Sequence, residues 1–211
     1  MKRAGGPVGA GLDAVIFDMD GVLCDYDFEA RMTHMARLTG CAPAAIEAAI
    51  YASGWDDRSD RGEIGGAAYR HSWGARVGAE VTREDWLHAS ARPMTPTLEG
   101  LDLARGLAGR VAIGVFTNNN ELLAENLSDL FPAVHEIFAP HVFVSGVLKH
   151  AKPDPAAFRH VLAKLGGIAP TRALFIDDSA DYLAGAAEAG LHTHLFTDAR
   201  GLAAVLSRHG L

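Results

Sequence analysis

The 211-residue chain has only two cysteines, Cys24 and Cys41, and no apolar run of membrane-spanning length. Two thiols are too few for a disulfide framework, so a reducing, cytoplasmic setting is the simpler expectation. A transmembrane helix needs about 20 consecutive apolar residues, and their absence excludes a membrane-spanning role. Positive charge is also in short supply. With a formal net charge of −7, the chain has no basic surplus to spread along a nucleic-acid backbone, which excludes a general nucleic-acid binder. An anion can still be held where the site itself is positive. The opening Met1-Lys2-Arg3-Ala4-Gly5-Gly6-Pro7 lacks an apolar core, which excludes a signal peptide, and it reads as a mobile tail. Its glycines follow no strand, so a dinucleotide loop is not expected there.

Hydrophobic residues make up 49% of the chain, enough for one good-sized domain or a domain with a smaller insert. The stretch that organises it is Ala14-Val15-Ile16-Phe17-Asp18-Met19-Asp20-Gly21. Its first four residues form an apolar run too short for a helix, and it reads as a buried strand. Side chains alternate along an extended chain, so Asp18 and Asp20 start on the same side. Gly21 lets the chain turn away without a side chain blocking the crevice. Two carboxylates so close repel each other unless a cation lies between them or one takes a proton. The thiol of Cys24, although near this pair, reads as a small buried hydrophobe.

From about Asp25 to Pro93 the pattern is helical and lacks convincing strands. Helices are expected over 28–38 with Gly40 as the stop, over 43–51 with Pro43 in the first turn, over 67–77, and over 83–91 with Thr82 as cap. Asp56 to Gly66 reads as a polar loop. From Thr97 strands and helices alternate. Strands are expected over 111–116, 141–145, 173–176 and 192–196, with helices over 98–107 and from Asp181 to Gly190. Another begins at Asp154-Pro155, its apolar stripe formed by Phe158, Val161, Leu162 and Leu165. Strands separated by helices imply a parallel sheet with right-handed crossovers. The fold class is therefore α/β: a doubly wound, Rossmann-like core (1–24 and 94–211) with an inserted helical cap (25–93).

Four strand ends carry polar groups, and in a parallel sheet they share one edge: Asp18 and Asp20, Thr117 and Asn118, Lys152 just before a helix, and Asp177 and Asp178. In order and context these resemble the four motifs of the haloacid dehalogenase-like hydrolases, with Phe17-Asp18-Met19-Asp20-Gly21 as the nucleophile motif. That superfamily consists mostly of magnesium-dependent phosphatases and phosphomutases. The resemblance implies Asp18 as nucleophile, because a carboxylate attacking phosphorus splits one hard displacement into two. It implies Mg²⁺ held by Asp18, the backbone carbonyl of Asp20 and Asp178, with Asp177 as a direct ligand, a ligand through water, or a partner of a ligand.

Four carboxylates, Lys152 and Mg²⁺ sum to about −1 before a phosphate arrives, so one carboxyl is expected to be protonated. Asp20 is the candidate: neutral, it protonates the leaving alkoxide, and ionised, it deprotonates the attacking water. Lys152, the Thr117 hydroxyl and the Asn118 N–H are expected on the transferring oxygens. Dehalogenases proper have no carboxylate two residues after the nucleophile, so Asp20 points to a phosphate substrate.

Asp25-Tyr26-Asp27-Phe28, the loop Asp60-Arg61-Gly62-Glu63-Ile64 and Thr117-Asn118-Asn119 resemble the branch that includes α-glucose-1-phosphate phosphatase. That branch usually has glycine three residues before the motif lysine, and here the residue is Lys149. Arg61 and Glu63 are candidate substrate-binding residues of the cap, with Tyr26 and Trp55 behind them. Lys149 and His150 read as solvated loop residues, and His192 and His194 as ordinary strand residues.

The expected activity is Mg²⁺-dependent hydrolysis of a small phosphorylated metabolite, a sugar phosphate first, by a monomer or homodimer. A β-phosphoglucomutase-like phosphomutase would use the same motifs. A phospho-receiver domain would carry its acidic pair on the first strand and lack the insert. A phosphate-binding module without turnover would lack a catalytic group, and none is lacking here.

Overall fold

The computed structural model describes residues 11–91 and 93–211; the tail expected at Met1–Pro7 lies outside the described residues. The first strand, β1 (Ala14–Phe17), is buried throughout. Val15 and Phe17 join one apolar cluster with Val115, Leu174 and Ile176, while Ala14 and Ile16 join a second with Phe116, Phe158 and Phe175. Both faces are covered, which is why the sequence here is a continuous apolar run rather than an alternating one.

β1 is the middle strand of a parallel sheet with β4 (Ala112–Thr117), β5 (Val142–Val144), β6 (Ala173–Asp177) and β7 (His192–Leu195), in the order β5-β4-β1-β6-β7. The chain builds from β1 to β4 and β5, then crosses to β6 and β7 on the other side. That reversal opens a crevice at the carboxyl ends beside β1, the place where open α/β sheets bind ligands. Phe17 stands opposite Val115 and Ile176, and Asp18 still bonds the Ile176 carbonyl through its N–H at 2.8 Å. Asp18 and Asp177 therefore leave the sheet side by side.

One face is covered by α6 (Leu98–Leu107), α9 (Pro132–Phe138) and α13 (Ala199–Arg208), the other by α11 (Pro155–Lys164) and α12 (Ala180–Glu188). Asp154 caps α11 by accepting from the Ala156 N–H at 2.8 Å, with Pro155 in the first turn. This is the arrangement that the Asp154-Pro155 pair predicts.

Between the antiparallel strands β2 (Cys24–Tyr26) and β3 (Met94–Pro96) lie α1 (Phe28–Thr39), α2 (Pro43–Ile46), a π turn (Glu47–Tyr51), α3 (Trp55–Asp60), α4 (Gly66–Val77) and α5 (Arg83–Ala91). Met32, Met35, Ile46, Ile50, Tyr69, Trp73 and Trp86 are buried among them. Asp27 caps α1 and a left-handed Gly40 ends it. Thr82 and Asp85 form a reciprocal box at the start of α5, each side chain accepting from the other's N–H.

Several expectations need correction. The segment 25–93 is not free of strands, because Asp25 and Tyr26 belong to β2, which is only three residues long and too short for a pattern. The first half of the loop expected at Asp56–Gly66 is helical in α3, where Asp56 and Asp57 occupy the first turn and favour a helix start. The helix expected over 43–51 changes to a π turn at Glu47. β4 runs one residue further than expected, to Thr117, and β5 is shorter, because Ser145 opens α10 (Ser145–Leu148). The short helices α7 (Glu121–Glu125) and α8 (Leu127–Leu130), together with α9 and α13, had no expectation attached.

Two tight backbone positions shape the neighbourhood of Lys152. In α12, a Cβ on Gly185 would lie 1.8 Å from the Pro153 carbonyl oxygen, so the helix and the Lys152 loop touch backbone to backbone. Lys149, at the end of α10, is the one non-glycine residue with positive φ among the described residues, at φ 56° and ψ 29°. The chain thus adopts a left-handed conformation at a lysine, and carries its steric cost. Gly185→Ala is expected to lower unfolding stability by about 1–3 kcal/mol, measured by urea denaturation. Lys149→Gly is expected to raise the melting temperature, by relief of about 1 kcal/mol of left-handed strain.

Candidate active site

At the carboxyl ends of β1, β4 and β6, a cavity of about 520 Å³ is lined by Asp18, Asp20, Gly21, Asp25, Tyr26, Thr117, Asn118, Lys152, Asp178 and Tyr182. Its floor is an ion triplet. The ammonium of Lys152 lies 2.8 Å from Asp18 Oδ1 and 2.7 Å from Asp177 Oδ2. It also sits 4.6 Å from the ring centre of Tyr182, with Phe175 and Phe116 further off. Lys152 is 4% exposed, Asp18 6% and Asp177 0%. A charge so buried persists only when paired, and Lys152 is paired twice. Burial opposes its charge, but Asp18 and Asp177 outweigh that and raise its pKa.

The loop after β4 fixes the lysine's backbone. Asn118 Nδ2 donates to the Lys152 carbonyl and Asn118 Oδ1 accepts from the Lys152 N–H, both at 2.9 Å. The amide side chain is thus fully used on the main chain of residue 152. Asn119, which sequence reasoning did not assign to the site, bridges two members of it. Its Nδ2 donates to Thr117 Oγ1 at 3.1 Å and to Asp20 Oδ2 at 3.2 Å, while its backbone is held by Ser145. The triplet Asn118-Asn119-Asn120 was the available signal, but a side chain's partner across 99 residues is not legible from sequence.

Asp20 also accepts from the Cys24 thiol at 3.3 Å. Burial, above all, pushes the Asp20 carboxyl up, against the pull of Cys24 and Asn119. Burial likewise pushes the Cys24 thiol up, so it is no nucleophile. Asp18 is driven up to about 7 by burial, with Lys152 pulling down and Asp177 pushing up.

One oxygen of Asp18, Oδ1, is taken by Lys152 and by the Met19 N–H at 2.8 Å; Oδ2 has no hydrogen-bond partner among the described residues. Both oxygens of Asp177 are engaged, one by Lys152 and the other by the Ser179 N–H at 2.8 Å. Asp178 closes the cluster from the rim. Its carboxylate lies where a Cβ on Gly21 would stand, 2.2 Å from Oδ2, so only glycine permits the approach. Oxygens of Asp18, Asp177 and Asp178 lie within 4.8 Å of one another. These residues fit a hard divalent cation: all donors are carboxylate oxygens, and Lys152 alone does not balance three carboxylates.

The structure brings Asp18, Asp20, Thr117, Asn118, Lys152 and Asp178 to one cavity, with Asp177 beneath. Arg61 and Glu63 are not there. They line a neighbouring cleft of about 470 Å³ with Lys149, His150 and the Lys152–Asp154 loop. Glu63 is occupied by Arg58 at 2.9 Å in a half-exposed ion pair, the kind that contributes about 0–1 kcal/mol. Trp55 packs under the guanidinium of Arg76, 3.9 Å from the ring centre. The His192 ring contacts the Thr171 carbonyl and His209, and neither His192 nor His194 belongs to the acidic cluster.

Comparison with known proteins places the chain in a family. The family model of haloacid dehalogenase-like hydrolases matches residues 12–190. The chain is similar to a Mycobacterium tuberculosis (strain CDC 1551 / Oshkosh) protein named phosphatase MT3486, 30% identical over 195 residues, with 87% of each chain covered. Among solved structures it resembles a HAD-like family hydrolase of Porphyromonas gingivalis, with a TM-score of 0.75 at 22% identity, covering 88% of this chain and 91% of that one. It also resembles the HAD family enzyme BT-2542 of Bacteroides thetaiotaomicron, solved with magnesium and inorganic phosphate. There the TM-score is 0.73 at 22% identity, over 89% of this chain and 95% of that one. The family match spans the central strand, the inserted helices and the carboxylates at both strand ends, and the chain belongs to the haloacid dehalogenase-like hydrolases.

Proposed function

We propose that this hydrolase is a magnesium-dependent phosphatase acting on a small phosphorylated metabolite, a sugar phosphate first among them. The observation that carries the reading is the asymmetric hold on Asp18. Lys152 and the Met19 N–H fix one of its oxygens, and the other is left without a protein partner in a residue that lines the cavity. A carboxylate held by one oxygen is oriented to attack with the other.

In the first step Asp18 Oδ2 forms a bond to phosphorus while the bond to the leaving oxygen breaks. Asp20, whose carboxyl burial pushes up, gives a proton to that oxygen, so a neutral alcohol departs. In the second step Asp20, now ionised, takes a proton from a water that attacks the aspartyl-phosphate, and Asp18 is returned with inorganic phosphate. Lys152, the Thr117 hydroxyl and the Asn118 N–H neutralise and hold the transferring oxygens. Asn119 orients both Thr117 and Asp20. Mg²⁺ held by Asp18, Asp178 and the Asp20 carbonyl would cancel the repulsion between carboxylate and phosphate. Asp177 serves by fixing Lys152.

We assign residues 25–93 as the cap over this cavity. Arg61 and Glu63, in the neighbouring cleft, have no contact with the reacting phosphate in this scheme. The name of the mycobacterial relative and the magnesium and phosphate bound to the Bacteroides enzyme support the reading. Both cysteines are free, which suits the cytosol we assign it to. Among the described residues no helix is long and apolar enough to cross a membrane.

Phosphate release from sugar, nucleotide and small-acid monophosphates is expected from the wild type with Mg²⁺, and neither with EDTA nor from Asp18→Asn. Transfer of phosphate back to sugar without net release would reject hydrolysis in favour of a mutase. Asp20→Asn is expected to lower kcat by about 10²–10⁴-fold while a phosphorylated Asp18 accumulates from activated donors, detected by intact-protein mass spectrometry. Without substrate, Mg²⁺ at 100 times its Kd is expected to stabilise the fold by about 2.7 kcal/mol, read as a rise in melting temperature that Asp178→Ala reduces.

A further inference from the structure

The cavity has one wall that the reaction scheme leaves unused. Tyr26, the last residue of β2, lines it from the side of the inserted helices. Its hydroxyl oxygen accepts from Arg31 Nη1 on α1 at 2.8 Å. An oxygen that accepts from a guanidinium keeps its own proton to donate, and among the described residues no group accepts it. Burial, chiefly, keeps this phenol above its usual range despite Arg31, so it remains a donor.

Behind Tyr26 the wall is polar but closed. Arg31 Nε and Tyr51 Oη are both shielded from solvent without a partner. Tyr69 donates to Asp56, and the Asp60 carboxyl is pushed well up by burial and by Asp56. Unpaired buried donors are costly, and here they flank the guanidinium that grips Tyr26.

We infer that Tyr26, braced by Arg31, reads the leaving group, donating a hydrogen bond to a neutral, polyhydroxylated alcohol. The inference rests on the phosphomonoesterase reading above and names the substrate class. Charge decides against an anionic leaving group. The cation of this wall, Arg31, is answered by Asp56, and Asp25 lines the cavity as well. No net positive charge is left for a second phosphate or a carboxylate. A cationic leaving group would meet the proton of the Tyr26 hydroxyl rather than an acceptor. Hydroxyls, which both donate and accept, match a phenol donor beside carboxylate acceptors. Tyr26 is thus a binding residue, and Arg31 a positioning residue acting through it.

The test compares wild type, Tyr26→Phe, Arg31→Gln and the double variant on a hexose monophosphate and on phenyl phosphate, whose leaving group offers no aliphatic hydroxyl. Tyr26→Phe is expected to raise KM for the hexose phosphate about five- to tenfold, the share of one hydrogen bond. On phenyl phosphate its effect on KM is expected to be smaller than on the hexose phosphate. Arg31→Gln should do the same, and the double variant should lose no more than either alone. Hexose phosphate binding to Asp18→Asn, with and without Tyr26→Phe, is measured by calorimetry in parallel. Equal effects of Tyr26→Phe on both substrates would overturn the inference, as would a wild type that prefers a bisphosphate or a phosphorylated acid. If the wild type hydrolyses nothing while calorimetry still shows the Tyr26-dependent step in Kd, the phosphatase reading fails and the inference stands. If hydrolysis proceeds and neither KM nor Kd depends on Tyr26, the inference fails alone.

Discussion

An ammonium between two buried carboxylates is the interaction on which the rest of the site depends. Lys152 would not remain charged at 4% exposure without Asp18 and Asp177, and without it the two would be unpaired buried carboxylates. The three groups come from different parts of the chain, and each is aimed by backbone rather than by packing alone. Parallel register sets Asp18 beside Asp177, and the Asn118 amide clamps the main chain of Lys152. Gly185 lets α12 press directly on the Pro153 carbonyl. A site built this way is pre-organised before any ligand arrives, the condition under which fixed charges act most strongly on a transition state.

The sheet's topology and the insert divide the labour. The carboxyl ends of β1, β4 and β6 carry nearly all the ionised chemistry, and they are rigid because the strands behind them are buried on both faces. Asp25 and Tyr26 of β2 supply another wall, with the Tyr26 hydroxyl held by Arg31 of α1. Under the proposed function the phosphate faces the first surface and its leaving group the second.

Much of this was legible in the sequence where the signal was local. Ala14–Phe17 is apolar and short, Asp154-Pro155 caps a helix, and the polar residues after Phe17, Phe116 and Ile176 fall where strands end. The haloacid dehalogenase-like motifs carried the same information in recognised form. What failed to show was contact between distant residues. Nothing local distinguishes Asn119, which joins Thr117 to Asp20, from Asn118, which clamps Lys152. Arg61 and Glu63 were expected at the cavity because they lie in a loop of the right kind, but which cleft a loop overhangs is set by packing of α3 and α10, not by its own composition. The left-handed Lys149 shows the converse: the fold imposes a conformation that favours glycine on a residue that resists it.

The contacts joining the inserted helices to the sheet domain differ in kind on the two sides of the cleft. At one side β2 and β3 pair through backbone hydrogen bonds. At the other, the Glu121 carboxylate accepts from the Gly66 N–H at the start of α4, and Arg83 reaches Asn126 and Asp129. The second set depends on charge and is screened by dissolved ions, while the first is not. Rising ionic strength therefore weakens the contacts of Gly66 and Arg83 and leaves the β2–β3 pairing unchanged.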